Sequence, residues 1–127
     1  MENQLTILSE SLDKKLEVLQ KIREYNKRQE EIFSAEEVDM SLFDDAVEEK
    51  QRLIDEVVHL DEGFEIMYEK LARELEGNRE RYAAQIRELQ KKVSRVTELS
   101  VTVQAQEARN KKLIESCLLY TSPSPRD

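Results

Sequence analysis

Glu56 and His59 form a Glu-x-x-His pattern, and this spacing places both side chains on one face of a helix. In di-metal carboxylate bundles, two such pairs on different helices bind the metal ions together. His59 is the only histidine in the sequence, so a second pair is missing. We therefore expect no metal site and no cofactor.

Catalytic groups are equally scarce. The single cysteine is Cys117, and with one histidine no independent nucleophile–base pair can be assembled. The chain has two glycines and no Gly-rich phosphate loop. Asp44 and Asp45 are adjacent, so their carboxylates diverge by about 100° on a helix and cannot face each other across a substrate. The sequence predicts no catalytic residues and a protein that is not an enzyme.

The composition instead indicates exposed helices. Of the 127 residues, 20 are Lys or Arg and 28 are Asp or Glu, whereas Trp is absent and Gly and Pro number two each. The net charge of −8 argues against nucleic acid or anionic lipid as the main partner. No apolar run reaches the 18 or so residues that a membrane span needs. With no leader-like N-terminus either, we expect a cytoplasmic protein.

The last eleven residues differ from the rest of the chain. Residues 117–127 contain the only Cys and both prolines, Pro123 and Pro125. They resemble the translation of a transposase end followed by a sequencing adaptor, and the alternative is a genuine disordered tail. We therefore expect residues 1–116 to form the single helical domain, with the natural sequence interrupted near Ser116.

Apolar residues recur at steps of three and four through most of the chain, which predicts amphipathic helices over about 2–33, 40–76 and 78–116. The apolar stripe of the first helix, which is expected to pack against a partner helix, consists of Leu5, Leu8, Leu12, Leu16, Leu19, Ile22 and Phe33. Asn3 is placed to cap the first helix, and both Ser34 and Ser41 begin capping patterns that mark the start of the second. The second break could lie at Gly63 or at Gly77, and the unbroken phase of the pattern also permits one long helix. Similar helix lengths favour Gly77. The predicted fold is all-α, an elongated antiparallel helical hairpin or three-helix bundle resembling a coiled coil.

Some positions of the apolar stripes are occupied by polar or aromatic residues. Asn26 and Gln29 interrupt the first apolar stripe, where polar residues usually set the register of packed helices. Phe33 and Phe43 flank the first turn and are expected to pack on each other. Aromatic residues at helical spacing are interpreted as packing residues. The five are Phe33, Phe43, Phe64, Tyr68 and Tyr82.

Exposed faces show acid–base pairs four residues apart, a spacing that supports helices weakly. These pairs are Glu17–Lys21, Glu24–Arg28, Glu48–Arg52, Glu69–Arg73, Glu88–Lys92 and Glu107–Lys111.

The C-terminal segment has more apolar positions than one packed face can hold. They are Val93, Val96, Leu99, Val101, Val103, Leu113 and Ile114. A helix with surplus apolar perimeter can bind another amphipathic helix. The alternative is that a further C-terminal segment covers this surface.

Several segments together resemble the FlgN family of flagellar type III export chaperones. They are the opening amphipathic helix, the acidic turn within residues 30–49, which contain nine acidic and no basic residues, the stretch from Glu49 to Val57 and the closing stretch from Arg109 to Ile114. The resemblance implies a cytoplasmic helical chaperone that binds hook-associated junction subunits and delivers them to the export apparatus. It also implies that the C-terminal helix binds cargo, through Val96, Leu99, Val103, Asn110, Leu113 and Ile114.

Two other interpretations stay open at this point. The related FliT-type chaperones share the same general features. A structural coiled-coil tether, or an adaptor that forms a homodimer and binds no cargo, would also explain long amphipathic helices.

Overall fold

The computed structural model describes residues 2–35 and 37–121, with side chains described for residues 3–35 and 37–116. Three helices account for nearly all of them: α1 (Glu2–Ser34), α2 (Met40–Leu75) and α3 (Ala83–Thr121). These described residues include no strand, so the predicted all-α class is confirmed. None of the described helices is long and apolar enough to cross a membrane.

The start of α2 is fixed by an aspartate. The Asp39 carboxylate accepts hydrogen bonds from the backbone N–H of Ser41 at 3.0 Å and of Leu42 at 3.2 Å. This satisfies two donors that lack partners in the first helical turn. The expected cap, Ser41, instead lies inside the helix. Likewise α1 already begins at Glu2, so Asn3 is helical and does not cap it.

The second break lies at Gly77 and not at Gly63. Gly77 has φ +92°, a left-handed backbone conformation that is unfavourable for residues with a Cβ atom. The N–H of Asn78 donates a hydrogen bond to the carbonyl of Leu75 at 2.8 Å, as is common at the end of a helix. Gly63 stays inside α2, and α3 starts only at Ala83, five residues later than predicted. It then continues through residues 117–121, into the segment that the sequence sets apart.

α1 is the central helix and packs against both α2 and α3. Lys50 of α2 contacts Gln29 of α1, and Asp61 further along α2 contacts Lys15 earlier in α1, so α2 runs antiparallel to α1. Lys92 binds Asp13 near one end of α1 and Asn110 binds the Asn26 carbonyl near the other, so α3 runs parallel to α1. By contrast, in the described part of the chain no Cα atom of α2 lies within 8 Å of one in α3.

The core follows the apolar stripe of α1. Its buried apolar side chains are Leu5, Leu8, Leu12, Val18, Leu19, Ile22 and Phe33. Val18 lies outside the stripe predicted from spacing, because α1 is flanked on two sides and buries a wider arc than one partner helix would require. Tyr68, predicted to pack in the core, is more than half exposed, since no α3 backbone approaches it.

Candidate functional site

Three of the six residues predicted to bind cargo face α1. Val96 and Val103 belong to the main apolar core, and Asn110 is also buried. The Asn110 amide donates a hydrogen bond to the backbone carbonyl of Asn26 at 2.9 Å. With α1 in place, these three side chains offer almost no surface to a partner.

The other three keep part of their surface. Leu99 is half-buried against the core, while Leu113 and Ile114 are half-buried near the C-terminal end of α3. Ile114 lines a shallow pocket beside Lys50. The six residues therefore do not form one open face, and cargo binding through them stays a prediction.

The exposed apolar surface of α3 lies on a different side of the helix. Val93 is 43% exposed and Val101 is 60% exposed, although Val96 and Val103 nearby are buried. Ile86, Val93 and Val101 are separated by seven and eight residues, a spacing that places them on one face. The surplus apolar perimeter predicted for this helix is therefore present, and it lies on the side chains that turn away from α1.

An open groove lies beside this face, between α2 and α3. Its volume is about 550 Å³, and Leu5, Leu8 and Leu71 at its floor are buried. The walls carry apolar side chains from both outer helices. They include Phe64, Tyr68 and Leu75 of α2, and Ile86, Leu89 and Val93 of α3.

Tyr68 forms part of the groove wall through a stacked contact. Its ring lies 6.0 Å from that of Phe64, with an angle of 10° between the planes, while 54% of the Tyr68 side chain stays accessible. A rigid aromatic surface held in this way presents apolar area without further loss of side-chain freedom. The spacing predicts both rings in the core: Phe64 does pack against it, whereas Tyr68 is exposed on the open groove, because periodicity alone does not reveal how far α3 lies from α2.

The two rims of the groove differ in charge. On α2, Glu65 and Glu69 lie on the same side as the groove residue Ala72, and both are exposed. On α3, the corresponding side chains are uncharged: Gln90 and Ser94 line the groove. One rim is thus acidic and the other neutral, with Arg79 lining the groove near the α2–α3 loop.

A polar cluster joins α2 to α3 at the other end of the bundle. The Lys50 ammonium donates to Gln29 Oε1 at 2.9 Å and to Glu107 Oε2 at 3.0 Å. Asn26 and Gln106 are buried beside it, with the Asn26 amide donating to Gln106 Oε1 at 3.4 Å. Within the described residues, Lys50–Glu107 is the only hydrogen bond or ion pair between α2 and α3.

The acidic turn is closed by aromatic packing. The rings of Phe33 and Phe43 meet edge to face at 4.6 Å and 84°, which confirms the predicted contact. Elsewhere, Glu56 lies 3.8 Å from the Lys14 ammonium and His59 is exposed. The described residues contain no group of three or more His, Cys, Asp or Glu side chains suited to hold a metal ion.

A family model described as "FlgN: FlgN protein" matches residues 1–124, which is nearly the whole chain and includes all three helices. No curated protein and no solved structure matches.

Proposed function

The chain belongs to the FlgN family of flagellar type III export chaperones, and from this premise we propose that it binds hook–filament junction subunits in the cytoplasm. It holds them unassembled and delivers them to the export apparatus. As in the prediction from sequence, the cargo contact is made by the C-terminal helix, α3.

One observation carries the proposal: α3 has an uncharged outer face that no other described helix covers. Val93 and Val101 are exposed on that face, and the neutral side chains of Ser94 and Thr97 lie between them. Burying such apolar area drives association at about 25 cal/mol per Å². A subunit whose terminal helix is held there cannot use the same helix to polymerise.

In this proposal the cargo first contacts the exposed Val93 and Val101, and not the buried Val96, Val103 and Asn110 that the sequence predicts. Leu99, Leu113 and Ile114 still have accessible surface and can extend the contact. Val96, Val103 and Asn110 support it indirectly, because they fix α3 on α1 and so determine which face of α3 is left open.

The test uses the full chain and a purified junction subunit. Size-exclusion chromatography with light scattering should show one stable complex, and the chaperone should suppress subunit polymerisation measured by turbidity. An elongated homodimer that ignores the subunit would instead identify a structural tether and refute the proposal.

A further inference from the structure

The fold lacks one helix–helix interface that a closed three-helix bundle would have. Packed helices have axes 8–10 Å apart, and α1 makes such contacts with both of its neighbours. No described Cα atom of α2 comes within 8 Å of α3, although apolar side chains from both helices face the space between them. That space is bounded by three helices and open on its fourth side, as in a four-helix bundle from which one helix has been removed.

We propose that this groove binds a fourth helix, namely an amphipathic helix of the cargo with one basic flank. The inference rests on the proposed chaperone function and specifies where and how the cargo is held. The apolar face of that helix packs on the exposed Tyr68 and Val93, above the buried floor at Leu8. The result is a four-helix bundle that contains one helix from the partner.

The length of the exposed face fits such an occupant. Ile86 and Val101 are 15 residues apart, so they span about 22 Å at 1.5 Å per residue. That distance corresponds to about four helical turns, close to the average helix of a globular protein. The apolar face does not end at the groove by Ile86 and Val93 but continues to Val101.

Charge defines the chemistry of the occupant. Glu65 and Glu69 are exposed on the α2 rim, and neither forms an ion pair with another described side chain. The facing rim offers neutral Gln90 and Ser94. A helix with Lys or Arg along the flank that meets Glu65 and Glu69, and with neutral residues along the other flank and at the end near Arg79, matches the charges around the groove in a single orientation.

Two other occupants fit less well. Residues 122–127 span at most about 21 Å when extended. They follow Thr121, which lies about 48 Å along α3 from the groove residue Leu89. A second copy of the chain would bring a further net charge of −8 to an acidic rim.

Charge substitutions on exposed positions test the groove without threatening the core. Val93→Lys places an ammonium in the groove, whereas Ile66→Lys makes the same type of change at a side chain that is 72% exposed elsewhere on α2. In calorimetric titrations with the purified junction subunit, we expect V93K to weaken binding at least tenfold and I66K less than twofold. Circular dichroism should show the same helicity in both variants.

The acidic rim is tested by a Glu65→Gln and Glu69→Gln double variant. We expect its affinity to fall about three- to tenfold at low salt and to depend less on salt than that of the wild type. The matched control is Glu48→Gln, which removes an exposed carboxylate near the opposite end of α2. Its affinity and salt dependence should match the wild type.

A fluorescent reporter gives a direct readout, because the chain contains no Trp. Tyr68→Trp should show a blue shift on adding the subunit, after subtraction of the subunit's own emission, and Ile66→Trp should not. If the wild type and V93K bind the subunit with equal affinity, the groove is not the binding site, although the chaperone function would still stand. Absence of binding by the wild type would overturn both. A concentration-dependent homodimer that V93K abolishes would show that a second copy occupies the groove and would also overturn the proposal.

Discussion

Replacing Lys50 by methionine tests whether the polar cluster is held together by the lysine. Lys50 is mostly buried, and its ammonium contacts a fully buried amide oxygen on α1 and a carboxylate on α3. Methionine keeps the unbranched shape and the apolar part of the side chain but removes the donor. The substitution therefore isolates the two polar contacts from the packing of the methylene groups.

The expected cost follows from the burial of the two acceptors. Gln29 is 1% exposed, so water cannot replace the hydrogen bond that its side-chain oxygen accepts from Lys50. Leaving this buried oxygen without a donor lowers the free energy of unfolding by about 1–3 kcal/mol. The Glu107 side chain is 39% exposed, so solvent screens its ion pair with Lys50, which adds less than about 1 kcal/mol. We expect Lys50→Met to lower the free energy of unfolding by about 2 kcal/mol.

Adding Gln29→Leu to Lys50→Met should reverse most of this loss. When both partners of a buried hydrogen bond become apolar and keep their size, the exchange is close to neutral. The double variant should therefore lie within about 1 kcal/mol of the wild type.

Urea unfolding followed by far-ultraviolet circular dichroism measures these differences, provided that the slope with denaturant is unchanged. Lys91→Met is the matched control, because Lys91 is exposed and its described ion pair is with Glu88, one turn away on the same helix. It should change stability by less than about 0.5 kcal/mol. The reasoning would be refuted if K50M were as stable as K91M, or if the double variant were less stable than K50M.

Further predictions concern the helices and the core. Gly63→Ala should stabilise the chain by about 0.5–1 kcal/mol, because this helical position has open space for a Cβ atom. Gly77→Ala should destabilise the chain by about 1 kcal/mol, because φ at this position is +92°. Thermal unfolding of the two variants should show a higher melting temperature for the first and a lower one for the second. Asp39→Ala should cost about 1 kcal/mol in urea unfolding through loss of the α2 cap, and recovery by Asp39→Ser would support that cause. Leu8→Ala should cost about 2–5 kcal/mol in the same assay, whereas Ile7→Ala, at an exposed neighbour on α1, should cost well under 1 kcal/mol.

Local signals in the sequence account for much of the helical architecture. The steps of three and four in α1 identified Leu5, Leu8 and Leu12 as core residues, and they are buried. Apolar side chains at that spacing share one face of a helix and are buried together when that face packs, so the pattern identifies the core residues without knowledge of the other helices. The contact between Phe33 and Phe43 was also predictable from local sequence, because the two residues flank a short turn.

Contacts over longer distances along the chain were decided by the tertiary structure. Of the six predicted acid–base pairs four residues apart, only Glu17–Lys21 forms. Lys92 binds Ser9 and Asp13 of α1 instead of Glu88, and Glu107 binds Lys50 of α2. A long charged side chain reaches several acceptors, and its choice depends on which neighbouring helix lies within that distance.

The candidate site shows the same division. A surplus of apolar residues near the C-terminal end was visible in the sequence, because 93–116 has more such positions than one face can contain. Which of them stay accessible depends on where α1 lies against α3, and this buries Val96 and Val103 while leaving Val93 and Val101 in solvent. The groove itself exists because α2 and α3 both pack on α1 while no described Cα atom of α2 lies within 8 Å of one in α3, a relation between surfaces that no local periodicity encodes.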